Sequence, residues 1–412
     1  MSTTYQSTLL ELRPRKSYNT FMKNPLTWLS KRRFPYEPLI KVEISKSAII
    51  HNFLEFARAF PGTRIAPVLK SNAYGHGLFE VANILEEAEK YKTIGEIPFI
   101  VVDSYFEAIA LRSSGIKEKI SVIGYTPPQT MNNCRVKNIS FTVGNIETLR
   151  DISKLVSHKI FIHIKIDTGM RRQGILPDEI IQAISLLQEN QNIILEGLCT
   201  HLSDADNSDK NFTTQQIILW NQIVEKIKTQ FPSVKYFHAS NTDGHNYSEK
   251  IQANVSRLGI GLYGLINSDK FSPELDLKPA LEMKTIITSL KKLRAGESVG
   301  YNNTFVAKND MTIATIPVGY YEGLDRRLSN AGFVEVGPLR VACPIIGRVS
   351  MNITSIDVSS CKGIKIGDEV IVFSNDPQSK NSIFNVAKIC NTITYEISSK
   401  IAQHLKRVVR LT

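Results

Sequence analysis

Five segments of this chain end an apolar, β-branched run on a side chain able to do chemistry. Lys70 closes IAPVLK, and Tyr74 follows it in the same loop. Lys165 closes KIFIHIK and is followed by Asp167, then by Arg172 in the glycine-bearing loop DTGMRRQG. His201 follows IILEGLCT, Asn241 and Thr242 follow KYFHAS, and Arg257 stands beside Gly259 in NVSRLGIGLYG. A lysine at a strand end suits Schiff-base chemistry, because burial lowers the amine's pKa and frees it as a nucleophile. The segment RLGIGLYG offers backbone N–H groups that side chains do not obstruct, a cradle for phosphate. Gly259, Gly261 and Gly264 also spell GxGxxG. The dinucleotide reading fails on context, since a polar turn follows in place of a helix and the motif ends an α/β series. A lysine at one strand end and a phosphate cradle at another point to pyridoxal phosphate.

The elements that must position these groups are legible as a pattern. From about residue 42 to 270 the runs IAPVLK, PFIVVDS, KISVIGY, ISFTVGN, KIFIHIKID, IILEGLCTHL, KYFHASN and NVSRLGIGLYG read as strands. Amphipathic stretches such as EVANILEEAEK and QQIILWNQIVEKIKTQF lie between many of them, with apolar residues at i, i+3 and i+4. AIIHNFLEFARAF reads as a further helix before the first of these strands, with Ser45 or Ser47 as N-cap. Eight such units predict a closed (β/α)8 barrel of the TIM type, with a doubly wound open sheet as the competitor. After about residue 272 the texture changes to strand-like runs separated by turns, with one late helix around 383 to 402. The fold expected is therefore α/β: a basic extension over residues 1–38, a barrel over 39–270 and a mostly antiparallel β domain over 271–412.

Composition excludes several classes. A formal charge of +11 invites thought of an acidic partner, but Arg13, Arg15, Lys16, Lys23, Lys31, Arg32 and Arg33 crowd the first 40 residues against only Glu11 and Glu37. The rest of the chain carries a mild basic bias, which does not indicate nucleic acid. No run reaches the roughly 18 apolar residues of a membrane helix, and the basic tail lacks the apolar core of a secretory signal. The five cysteines are scattered and odd in number, without zinc spacing. They suggest reduced thiols in the cytoplasm and no metal site.

LKSNAYGHG closely resembles the cofactor-lysine motif of bacterial alanine racemases. The resemblance runs from about residue 40 to the end, through KIDTGMRRQG, THLSDAD, HASNTDG, SRLGIGLYG, GYNNTF, PVGYYEG, GRVSMN and TYEISS in family order. It implies a pyridoxal 5'-phosphate enzyme that interconverts L- and D-alanine for peptidoglycan synthesis, working as a homodimer with shared active sites. Lys70 would carry the cofactor and act as base for one enantiomer. Tyr301, reaching in from the partner, would be the opposing base. Arg257 would face the pyridine nitrogen, and its very high pKa would keep that nitrogen unprotonated. His201 would join the Arg257 network. Tyr74, Asn241, Thr242, Gly259, Ile260 and Tyr395 would line the cofactor and phosphate region. Arg172 and Met351 would meet the substrate carboxylate, Tyr320 would line the access corridor, and Lys165 would be a carbamylated brace for Arg172.

Some positions depart from the family pattern. Thr242 stands where serine is usual, Asn352 where aspartate is usual, and Asn302 and Asn303 where small residues are usual. His76 is expected to be a packed structural histidine rather than a catalyst. The competing functions are a racemase for serine or lysine, a decarboxylase of the same barrel class, and a non-catalytic pyridoxal-phosphate carrier. Arg257 argues against the decarboxylase, and the C-terminal β domain bearing Tyr301 argues against the carrier.

Overall fold

The computed structural model describes residues 37–207, 209–266, 271 and 274–411. The basic extension expected over residues 1–38 lies almost wholly outside the described residues. Strand β1 (Lys41–Ser45) comes first, and a helix, Lys46–Ala59, follows at once. Of the two serines proposed as its cap, Ser45 serves: its hydroxyl accepts from the Ala48 N–H at 3.1 Å, meeting one of the donors that a helix start leaves unpaired.

Eight parallel strands follow: β2 (Arg64–Pro67), β3 (Ile100–Val102), β4 (Ile120–Val122), β5 (Ile139–Val143), β6 (Ile160–Lys165), β7 (Ile193–Cys199), β8 (Tyr236–His238) and β9 (Val255–Leu258). They fall in the eight runs marked by the sequence. β3 to β8 pair in order as one curled sheet, and β2 pairs with β9 as a ribbon. Two seams close the ring. A bridge between Val68 and Val101 joins β2 to β3, and the Asn254 and Arg257 N–H groups donate to the Phe237 and Ser240 carbonyls at 3.0 and 3.1 Å. Closure excludes the open doubly wound sheet. These strands are buried on both faces, so they read as near-continuous apolar runs instead of alternating ones.

The C-terminal part is a nine-stranded sheet built from β10 (Leu281–Ile286), β11 (Ser289–Leu293), β14 (Met311–Ile316), β15 (Phe333–Val336), β16 (Val341–Ile346), β17 (Thr354–Asp357), β18 (Glu369–Phe373), β19 (Lys406–Arg410) and β1. A small hairpin, β12 (Ser298–Val299) with β13 (Phe305–Val306), stands apart from it. Two differences from the expected layout appear. β1 lies in this sheet, antiparallel to β10 and parallel to β19, so residues 41–45 belong to the β domain although they precede the barrel. The single late helix is two, Ile383–Ile389 and Thr394–Ser399. The second of these brings Tyr395 back to the barrel. Asn52 ties barrel to linker: its amide donates to the Leu262 and Lys278 carbonyls at 3.0 and 2.8 Å, and its oxygen accepts from the Lys278 N–H. Among the described residues no helix is long and apolar enough to cross a membrane.

Candidate active site

A cavity of about 590 Å³ opens at the C-terminal ends of the barrel strands. Lys70, Tyr74, Lys165, Arg172, His201, Asn241, Thr242, Arg257, Gly259, Ile260 and Tyr395 all line it. The sequence singled out every one of them, on separate strand ends and loops. Lys70, Lys165, Arg172 and Arg257 face Asp103 as the single carboxylate among the lining residues, which suits an anionic occupant.

Lys70 ends the first barrel strand because Val68 and Leu69 are held by ladder bonds to Leu258 and Val101 at 2.9 and 2.8 Å. Beyond it the chain turns the wrong way. Ser71, Asn72, Ala73 and Tyr74 all have φ between 52° and 55°, a left-handed turn made without glycine. Such a conformation costs roughly 1–2 kcal/mol per residue, so it persists only where its surroundings fix it. Glu107 accepts from the Ser71 N–H at 2.7 Å, the Asn72 side chain accepts from the Leu78 N–H at 2.9 Å, and Arg407 donates to the Gly75 carbonyl at 2.9 Å. The turn swings Tyr74 under the cavity, where its ring lies 5.3 Å from that of Tyr263 and 5.9 Å from that of Tyr395. Burial raises the Tyr74 hydroxyl to about 12, so it stays a donor.

The Tyr74 hydroxyl helps form a small cradle with Thr242 and Gly259. The Gly259 and Gly261 N–H groups donate to Thr242 Oγ1 at 3.2 and 3.4 Å, which leaves the Thr242 hydroxyl proton free to donate. A Cβ on Gly259 would lie 3.0 Å from the Tyr74 hydroxyl and fill this space. Hydroxyl donors of this kind are what a phosphate monoester needs, and the glycine N–H groups that Thr242 engages lie at the same place. Threonine in place of serine keeps that donor.

Arg257 crosses the floor of the cavity and is 7% exposed. It donates to the carbonyls of Thr200, His238 and Ala239 at 2.8, 2.6 and 3.0 Å. It also meets His238 Nδ1 at 2.9 Å and His201 Nδ1 at 3.2 Å. These partners are all neutral, so nothing bonded to the guanidinium cancels its charge. Burial, then the Arg257, Lys165 and Arg172 charges, hold the His201 imidazole well below its ordinary value. Burial and the same two arginines also lower the Lys165 amine.

Three expected residues do not line this cavity. Tyr301 is 68% exposed, Met351 55% and Tyr320 44%. They sit on neighbouring loops of the β domain, where the Tyr320 N–H donates to the Ser350 carbonyl at 3.0 Å and that of Tyr321 to the Met351 carbonyl at 2.9 Å. Tyr301 tops the β12–β13 hairpin, and Asn302 and Asn303 after it have φ of 60° and 48°, a region asparagine tolerates better than most side chains. Asn352 has a local reason: its amide donates to the buried Glu322 carboxylate at 2.6 Å, where aspartate would set two carboxylates together. His76 is fully buried, packs on Tyr263 at 4.4 Å and does not line the cavity. The sequence reading did not single out Asp103, Tyr125, Gln173 or His238, which also line it. Their loops and strand ends were in view, but none of the four carried a local signal that set it apart from an ordinary polar residue of a strand or loop.

Family models now decide between the barrel enzymes. Residues 44–267 match the alanine racemase N-terminal domain, and residues 280–409 match the alanine racemase C-terminal domain. The chain belongs to the alanine racemase family. It is 34% identical over 375 residues to an alanine racemase of Methanococcus maripaludis, covering 90% of this chain and 98% of that one. It is 32% identical over 373 residues to alanine racemase 2 of Caldanaerobacter subterraneus subsp. tengcongensis, covering 89% and 94%. The solved alanine racemase of Clostridium difficile 630 superposes with a TM-score of 0.82 at 30% identity, over 91% of this chain and 96% of that one. The fold also serves other substrates: a histidine racemase of Leuconostoc mesenteroides subsp. sake superposes with a TM-score of 0.80 at 25% identity, over 91% and 98%.

Proposed function

We propose that this alanine racemase family member is a cytoplasmic enzyme that interconverts L- and D-alanine and supplies the D-isomer for peptidoglycan. The observation that carries the reading is one cavity holding the strand-end Lys70, a cradle of Tyr74, Thr242 and Gly259, and the cation Arg257. Pyridoxal 5'-phosphate, bound there, supplies the electron sink that acidifies the substrate Cα–H. Lys70 holds the cofactor and moves the α-proton on its own face. The Thr242 and Tyr74 hydroxyls, with the Gly259 and Ile260 backbone and Tyr395, hold its phosphate. Arg257, bonded only to neutral groups, keeps a positive charge toward the ring nitrogen. That opposes protonation there and limits side reactions that need a stronger sink. Arg172 pairs with the substrate carboxylate. The depressed Lys165 amine favours the neutral form that carbon dioxide carbamylates, and the resulting negative charge would brace Arg172.

A racemase needs a second base on the opposite face, and Tyr301 is our candidate. In one chain it is exposed, and so are Tyr320, Tyr321, Met351 and Ile353 of the same β domain. A surface this apolar suits an interface, so the second base comes from the partner in a homodimer and the site is shared. The test is D-product formation from a panel of L-amino acids by holoenzyme, with borohydride trapping of the cofactor and peptide mapping. Alanine as preferred substrate with the label on Lys70 is expected. Preference for serine, lysine or histidine, or a label on another lysine, would overturn the reading.

A further inference from the structure

Arg257 is the first member of a line of buried polar groups that continues away from the cavity. A guanidinium can only donate, so His238 Nδ1, 2.9 Å from it, must accept, and the His238 ring proton sits on Nε2. His238 Nε2 lies 2.7 Å from His163 Nδ1. This donation in turn places the His163 proton on Nε2. That N–H faces Glu196 Oε2 at 3.7 Å. Both atoms are buried and without another hydrogen-bond partner, so each is the natural complement of the other. The second Glu196 oxygen is paired with Lys119, which immediately precedes β4 at the end of the barrel opposite the cavity. Every donor from Arg257 onward points the same way, and the line ends on a carboxylate.

The interior is shaped around this line. Gly197, in β7, has no side chain, and a Cβ there would lie 2.7–2.9 Å from the His163 ring. Phe99 sets its ring 5.3 Å from those of both histidines, sealing them from water.

We propose that Glu196 is a positioning residue for Arg257: through His163 and His238 its carboxylate fixes both imidazoles as neutral Nε2–H tautomers, and so keeps an acceptor against the guanidinium. The proposal rests on the reading of Arg257 as the group that faces the cofactor ring. Burial holds both imidazoles below their ordinary range. Burial also works to raise the Glu196 carboxyl, but His163 and Lys119 outweigh it and leave it ionised. In Glu196→Gln one side of the amide must present N–H to a donor, either Lys119 or His163. The chain of tautomers then loses its anchor.

The experiment is 15N NMR of histidine-labelled protein, without cofactor and with pyridoxal phosphate, for the wild type, E196Q and E196D, together with kcat and KM. The wild type should show Nε2–H tautomers at both His163 and His238. E196Q should populate the Nδ1–H form of His163 and lower kcat about tenfold, the low end of what losing an outer partner costs, with KM changed less than twofold. E196D should restore the tautomers and most of the rate. An Nδ1–H tautomer at either histidine in the wild type overturns the proposal, even if E196Q fails to fold. So does a folded E196Q with wild-type tautomers, or with changed tautomers and unchanged kcat. A wild-type protein with the stated tautomers and no D-alanine formation would instead refute the racemase reading.

Discussion

Lys70 and Tyr301, the two bases we propose, are held very differently. Lys70 ends a buried strand, while Tyr301 tops an exposed hairpin on the β domain. In the two-base scheme Tyr301→Phe should slow α-deuterium exchange into L-alanine by about 100-fold or more and exchange into D-alanine far less. Equal loss from both isomers would contradict the separate roles. His76 makes a different claim. Burial pushes its imidazole down to about 3, and burial pushes that of His245 down to about 4, whereas an unfolded histidine titrates near 6.5. Below that value the unfolded chain takes up protons that the folded one refuses, so stability is whole above pH 6.5 and falls as pH falls toward 4. At pH 5 each imidazole should cost about 2 kcal/mol. Urea midpoints at pH 7.5 and 5.0 would read this, and His76→Gln should shrink the difference by about 2 kcal/mol, the share of that one imidazole. The strand-end residues of the site were legible because their chemistry is out of place at the end of an apolar run. His163, His238 and Glu196 were not, since a polar residue inside a strand run looks like one half of an ordinary alternation until its neighbours in space are known.

At the scale of elements, the left-handed turn after Lys70 decides where Tyr74 goes. Gly75 closes it with φ of 88°, and a Cβ there would meet the Ser398 carbonyl at 1.9 Å. The turn thus locks against the helix Thr394–Ser399, which carries Tyr395. Gly75→Ala should destabilise the protein by about 1–2 kcal/mol from backbone strain, with the clash against the Ser398 carbonyl adding to it, and weaken cofactor binding. Thermal unfolding and cofactor titration would check both, and a variant with wild-type values would show that the lock is unimportant. The eight barrel strands were legible because burial on both faces makes them apolar throughout. The turn was not: SNAY contains no glycine, and what holds it comes from Glu107 and Arg407, remote in sequence. The membership of β1 was hidden for the same reason. KVEIS alternates as any half-buried strand does, and its partners β10 and β19 lie more than 230 residues on.

For the whole molecule, the cavity of one chain gathers the cofactor-holding groups but leaves Tyr301, Met351 and Tyr320 on an exposed face. In the two-base scheme we propose, one chain holds both halves of a site without joining them, which a two-fold dimer would resolve by exchanging faces. The resemblance of ordered motifs made this arrangement an expectation, but no local pattern in the sequence separates a surface tyrosine from one that completes a partner's site. The most direct measurement mixes two inactive variants, Lys70→Ala and Tyr301→Phe, after confirmed subunit exchange. Half of the dimers are then hybrids, and each hybrid holds one site with both bases intact. The account predicts recovery of about one quarter of the wild-type racemase rate; no recovery would contradict it.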